Sequence, residues 1–135
     1  PEEDGMAELD ERTRAALDGT YFWTLATVNP DGTAQSTVVW VTTRDGKILV
    51  NSAVGRKKPR NLARNPSVAL AWFDPEAPYG PIQIQGHVVE SYTGDQAEAD
   101  IDALAKKYIG EDVYPWRKEG ESRISFLIEP THVQS

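Results

Sequence analysis

Residues 21–52 read YFWTLATVNPDGTAQSTVVWVTTRDGKILVNS, three β-branched and aromatic runs separated by NPDG and RDG. Val, Ile, Thr and the aromatic residues suit a pleated chain, while Asn, Asp and Gly tolerate the backbone that tight turns demand. The stretch therefore predicts three consecutive antiparallel strands. SVALAWFD (67–74), PIQIQGHVVESY (81–92) and RISFLIEP (123–130) predict three more. Six strands in so short a chain imply a small barrel or sandwich.

Helical patterns flank and interrupt these runs. Residues 6–18 place Leu9, Ala16 and Leu17 on one face, with Gly19 as the stop. In TGDQAEADIDALAKKYIG (93–110), Ala97, Ile101, Leu104, Ala105 and Tyr108 recur at helical spacing, acids come early and Lys106 and Lys107 late. Thr93 and Gln96 have the spacing of a capping box, and Gly110 suits the helix end. A short helix is expected over 59–64, with Pro59 at its first position and Pro66 keeping Asn65 out of helical geometry.

That short helix lies in VGRKKPRNLARNP (54–66), the most unusual stretch of a chain whose formal net charge is −7. Five of its residues, Arg56, Lys57, Lys58, Arg60 and Arg64, are basic, and no Asp or Glu occurs anywhere in residues 46–73. Without those five the rest of the chain holds 9 basic against 21 acidic residues, a balance of −12. A helix start inside such a cluster presents unpaired N–H groups and added positive charge, a combination that favours a phosphate. Extended nucleic acid is not the expected anion, because the acidic remainder would repel a phosphate backbone.

Composition and missing motifs narrow the classes further. With 135 residues, 39% of them hydrophobic, and four tryptophans, the chain is expected to form one domain over 6–135. Pro1 to Gly5, ahead of the only methionine, are expected to be disordered or a cloning remnant. No apolar run reaches the roughly 18 residues of a membrane span, and the acidic start lacks the pattern of a signal peptide, so a cytoplasmic location is expected. There are no cysteines, hence no thiolate nucleophile or ligand. No G-x-G-x-x-G, Walker A or G-x-S-x-G occurs. His87 and His132 stand apart without metal-ligand spacing, so no metal is expected, and no catalytic residue can be nominated. His87 reads as a strand residue for packing or a hydrogen bond.

The blocks TLATVNPDGTAQSTVVWV (24–41), ILVNSAVGRKKPRNLARNPSVAL (48–70), PYGPIQIQGHVVE (78–90) and YIGEDVYPW (108–116) resemble, in this order, the flavin- and deazaflavin-dependent oxidoreductases of the pyridoxamine 5'-phosphate oxidase-like split β-barrel class. Within it, GRKKPRN and ALAKKYIG…YPW are most similar to the branch that binds the deazaflavin coenzyme F420. The resemblance implies a mainly β (α+β), six-stranded split barrel with short flanking helices, dimerising around a cofactor groove. It implies cofactor phosphate and tail contacts from Arg56, Lys57, Lys58 and Arg60, with Asn51 and Ser52 beside them. Gln35, Ser36, Thr37 and Val38 would face the ring edge. Pro78 and Tyr79, together with Tyr114 and Trp116, would close the pocket, the latter pair from the other subunit.

What this implies chemically is a reductase that passes a hydride from reduced F420 to a small electron-poor enone, imine or quinone-like acceptor. The alternatives are an FMN-dependent oxidoreductase and a non-catalytic binder of flavin, F420 or haem. Pyridoxamine phosphate is not the expected substrate, because the long Arg-rich C-terminal segment of the true oxidases has no counterpart before Ser135. Trp40 and Trp72 read as core or dimer-interface residues, with Val39 and Val41 part of a shared hydrophobic face. Arg117 and Arg123, outside the basic cluster, are not expected to affect cofactor affinity.

Overall fold

The hairpin predicted at RDG is formed by Asp45 and Gly46, both at positive φ (53° and 79°), the backbone that a two-residue turn between twisted strands requires. At the preceding turn Asp31 accepts hydrogen bonds from the Thr33 backbone N–H (3.0 Å) and hydroxyl (2.6 Å). The computed structural model describes residues 7–135; the expectations for Pro1 to Gly5 and for a helix start at Met6 lie outside the described residues.

In chain order the elements are α1 (Glu11–Asp18), β1 (Trp23–Val28), β2 (Ala34–Val39), β3 (Thr42–Arg44), β4 (Lys47–Ala53), α2 (Lys57–Arg64), β5 (Ser67–Asp74), β6 (Ala77–Tyr92), α3 (Asp95–Ile109) and β7 (Arg123–Gln134). The strands form one antiparallel sheet in the order β2-β1-β5-β6-β7-β4-β3. Its two edges, β2 and β3, are separated in sequence by Trp40 and Val41 alone. A sheet whose edges are tied by two residues must curl until they approach, which gives the split β-barrel.

The described strands number seven because the single run expected at 33–43 is broken at Trp40 and Val41. There, side chains of α3 take the backbone groups that a strand partner would have taken. The Val41 N–H donates to the Tyr108 hydroxyl (3.1 Å), and its carbonyl accepts from Lys107 Nζ (2.5 Å). Helix boundaries differ for similarly local reasons. α1 starts at Glu11 because the Asp10 carboxylate caps it, accepting from the Thr13 N–H at 2.7 Å. α2 starts two residues earlier than expected, so Pro59 is its third residue, still within the turn whose N–H groups have no helical acceptor. The expected capping box of α3 does not form: Gly94 is the N-cap and Gln96 instead donates to Asp100 (2.9 Å). Gly110, at φ 75°, ends α3 as expected.

Alternate residues of the strands fill the barrel. Trp23, Leu25, Ile48, Val50, Leu70, Ile82, Ile84, Phe126 and Ile128 are buried, with Leu17 of α1 and Leu62 of α2 packed against them. Each fully buried large apolar side chain stabilises by about 1.5–3 kcal/mol. Trp23 also donates its indole N–H to the Ala16 carbonyl (3.2 Å), tying α1 to β1. Val39 and Val41, 6% and 0% exposed, belong to this interior and cannot form a shared surface. The alternation that hides them turns their neighbour Val38 outward instead.

One glycine is held by close approach. A Cβ on Gly86, beside the irregularity in the β6–β7 register, would stand 2.5 Å from the Glu129 carbonyl oxygen. Gly86→Ala is therefore expected to destabilise the chain by about 1–3 kcal/mol, read from urea denaturation. A midpoint unchanged from wild type would show that the β6–β7 pair relaxes freely.

Candidate functional site

Where β4 ends, the chain turns at Gly55 and starts α2, bringing the basic cluster against the end of β2. Between them lies a cavity of about 200 Å³. Its walls come from five places: Val38, Val39 and Trp40 at the end of β2; Asn51 and Ser52 of β4; Arg56 and Lys58 at the start of α2; Ile101 and Leu104 of α3; and Tyr114, Trp116 and Arg123 leading into β7. Pockets that enclose a small ligand usually measure roughly 300–1,000 Å³. This one suits part of a larger ligand.

One wall is cationic. Arg123, 3% exposed, donates from Nε to Asn51 Oδ1 (2.9 Å) and from Nη1 to Glu121 Oε1 (3.1 Å). Among the described residues its Nη2 makes no hydrogen bond. Arg56, half exposed, reaches the other Glu121 oxygen at 3.3 Å. Lys58 makes no ion pair or side-chain hydrogen bond among the described residues. Burial, and then the positive charges of Arg56 and Arg123, pull its pKa down to about 8. Among the described residues, three cations thus converge on one cavity with a single carboxylate, Glu121, shared between two of them. The wall therefore carries net positive charge, and a phosphate has the charge and the acceptors to complement it.

The opposite wall is aromatic. Trp40 stacks on Tyr108 with centroids 5.2 Å apart and planes 9° from parallel. Tyr114 meets it edge-on at 6.1 Å, and Trp116 is tilted at 6.4 Å. Two groups anchor the segment that carries these rings: the Tyr114 N–H donates to Asp102 (2.8 Å), and Arg117 bonds both Glu98 and Asp102. Trp116 keeps 59% of its surface exposed, so this wall is also a rim. A cationic pocket beside an exposed aromatic rim fits a molecule with a phosphate and a planar ring.

Of the sequence-predicted residues, Val38, Asn51, Ser52, Arg56, Lys58 and Trp116 meet in the wall, together with Tyr114. The others stand elsewhere in this chain. Gln35, Ser36 and Thr37 lie further back along β2; Gln35 accepts from the Thr27 hydroxyl (3.4 Å), and the Thr37 hydroxyl is buried with no partner among the described residues. Lys57 is exposed, and Arg60 turns its Nε back to the Arg56 carbonyl (3.4 Å). Pro78 and Tyr79 are at the start of β6, where Tyr79 is 98% exposed.

Two expectations change. Arg123 does not stand apart from the cluster: β7 lies beside β4, with Arg123 opposite Ala53, and this delivers its guanidinium to the cavity. Its one sequence signal was a basic residue heading an apolar strand. Trp40, expected in the core or an interface, lines the cavity, whereas Trp72 packs against the core through Trp23 and Tyr21 as expected.

The fold agrees with what the chain is similar to. No curated protein matches it. Among solved structures, one described as an F420 reductase shares 28% identity, covering 90% of this chain and 94% of its own, with a TM-score of 0.79. A conserved hypothetical protein from Mycobacterium tuberculosis shares 19%, covering 98% and 87%, with a TM-score of 0.73. HutZ, the haem storage protein from Vibrio cholerae, shares 14%, covering 94% of each chain, with a TM-score of 0.64. The family model for pyridoxamine 5'-phosphate oxidase matches residues 9–135, nearly the whole length, and the chain therefore belongs to that split-barrel family.

Proposed function

We propose that this chain is a deazaflavin-dependent reductase that holds coenzyme F420 by its phosphate between Arg56, Lys58 and Arg123. The observation that carries the reading is the cavity wall itself, in which Lys58 lacks an anionic partner and Arg123 Nη2 makes no hydrogen bond among the described residues. Similarity to a structure described as an F420 reductase supports the choice of cofactor over FMN. A bound deazaflavin supplies hydride transfer from its reduced ring to a small electron-poor enone, imine or quinone-like acceptor.

The chain's own residues bind, orient and shield. Arg56, Lys58 and Arg123 fix the phosphate. The outward side of β2 at Val38 and the rings of Trp40 and Trp116 set the plane of the ring system. Leu104 and Ile101 keep water from the inner end of the cavity. Lys57 and Arg60, exposed on α2, extend the positive field toward an acidic tail. Titration with F420, FMN and haem, followed by tryptophan fluorescence, tests the reading: F420 is expected to bind most tightly, and its reduced form to be oxidised as it passes a hydride to an enone. Preferential binding of FMN or haem would overturn it.

The small cavity volume and the exposed rim support a second part of the proposal, a homodimer in which another copy covers the ring. The covering surface is the outward face of β1, β5 and β6. Thr24, Ala71 and Gln83 lie there beside Phe22 and Phe73, which are 61% and 54% exposed. Sedimentation equilibrium at micromolar concentration is expected to give twice the 15.0 kDa chain mass. A mass of one chain would defeat this part.

A further inference from the structure

The bonds that hold Arg123 in the cavity wall begin at a carboxylate outside that wall. Asp100 of α3 is 1% exposed. It accepts from Arg44 Nη2 (2.7 Å), Gln96 Nε2 (2.9 Å), the Tyr92 hydroxyl (2.5 Å) and the Ser125 hydroxyl (2.7 Å). Burial alone would raise its pKa, but the hydrogen bonds from Arg44, Tyr92, Ser125 and Gln96 outweigh that and keep it below the ordinary carboxylate range. Asp100 is thus an acceptor only.

The direction of each following bond is then determined. Ser125 has one hydroxyl hydrogen, and Asp100 takes it, so Ser125 Oγ accepts from Asn51 Nδ2 at 2.9 Å. The Ala97 carbonyl, also on α3, accepts from the same amide nitrogen at 3.0 Å. With both hydrogens committed toward α3 and β7, the Asn51 amide turns its oxygen to the cavity side, where it accepts from Arg123 Nε at 2.9 Å. Glu121 takes Nη1, and Nη2 makes no hydrogen bond among the described residues.

We propose that Asp100 and Ser125 are positioning residues: acting through Asn51, they fix the orientation in which Arg123 offers Nη2 to an anion in the cavity. The inference rests on the reading that this cavity holds an anion. In Asp100→Asn the new amide adds a donor where Ser125 and Arg44 already donate, and in Ser125→Ala one acceptor of Asn51 is gone. Either change loosens the amide and with it Arg123.

The test uses two readouts on the folded chain. The first is water exchange of the Arg123 Nε–H in nitrogen-15-labelled protein without ligand. The second is affinity for inorganic pyrophosphate by calorimetry. Asp100→Asn and Ser125→Ala are each expected to speed exchange by about tenfold or more and to weaken pyrophosphate binding by roughly 3- to 10-fold, as loss of one buried hydrogen bond implies. Asp10→Ala, which removes the α1 cap, is expected to lower stability and leave both readouts unchanged. If Asp100→Asn does not fold, Ser125→Ala decides alone. Exchange that stays at the wild-type rate, or pyrophosphate affinity unchanged in a variant whose exchange has risen, would overturn the proposal. The exchange readout needs no cofactor, so failure of wild-type protein to bind F420 would defeat the proposed function and leave this result standing.

Discussion

Arg123→Ala is expected to lower the free energy of unfolding by about 3–5 kcal/mol, the usual cost of removing one partner from a buried charge pair. The side chain is 3% exposed and Glu121 is 7% exposed, so neither charge is well solvated. Without the guanidinium, Glu121 keeps, among the described residues, only the half-exposed Arg56 at 3.3 Å, and the Asn51 oxygen loses its donor. Tyr114 also loses the cation over its ring, 5.0 Å from the centroid. Typical domains hold only about 5–15 kcal/mol in total. The variant should therefore unfold at distinctly lower urea concentration. Arg123→Lys should recover part of the loss, because an ammonium restores the charge but not the fork that serves Asn51 and Glu121 together. A loss below about 1 kcal/mol, the range of exposed pairs, would mean that Arg123 is solvated in solution and does not organise the wall.

Lys58→Met is expected to move stability and binding in opposite directions. In the free protein the ammonium is held among two guanidiniums with its pKa down at about 8, so its charged form is disfavoured by folding. Between about pH 8 and its unfolded value near 10.5 the unfolded chain binds more protons than the folded one, and stability should rise with pH across that window. Lys58→Met removes the penalty and should be more stable than wild type at pH 7. Its affinity for F420 should fall by roughly 10- to 150-fold, the equivalent of a charge-assisted hydrogen bond worth about 1.5–3 kcal/mol. For wild type, a bound anion raises the Lys58 pKa again. Affinity should accordingly be full below about pH 8 and decline as pH rises through that value, by at most tenfold per unit. Calorimetry at pH 7 and pH 9.5 on both proteins measures this. A pH-independent wild-type affinity, or a Lys58→Met variant that binds as tightly as wild type, would remove Lys58 from the site.

The parts of the molecule legible in sequence are those governed by local chemistry. Strand periods, the Asp45–Gly46 turn, the Gly110 helix end and the basic start of α2 all depend on neighbours within a few residues. The break between β2 and β3 was not legible, because it depends on Tyr108 and Lys107, more than 60 positions away in sequence. The same separation hid Arg123, whose partner Asn51 lies 72 residues earlier. It also explains the surface expectation for Val39 and Val41: an apolar run shows which residues alternate, and only the direction of sheet curl decides which set faces inward. Arg60 failed to reach the wall for a local reason that a helix starting at 59 had obscured. Once α2 starts at Lys57, Lys58 faces the cavity and Arg60 folds back on the Arg56 carbonyl.

The most direct test of the central claim is a crystal structure of the wild-type protein with oxidised F420. The account predicts phosphate oxygens within about 3.2 Å of nitrogens from Arg56, Lys58 and Arg123, with the ring against β2 at Val38 and Trp40 and a second chain across its open side. F420 found instead along the groove of Tyr21, Phe22, Trp72 and Phe73, with no contact to those three cations, would contradict it.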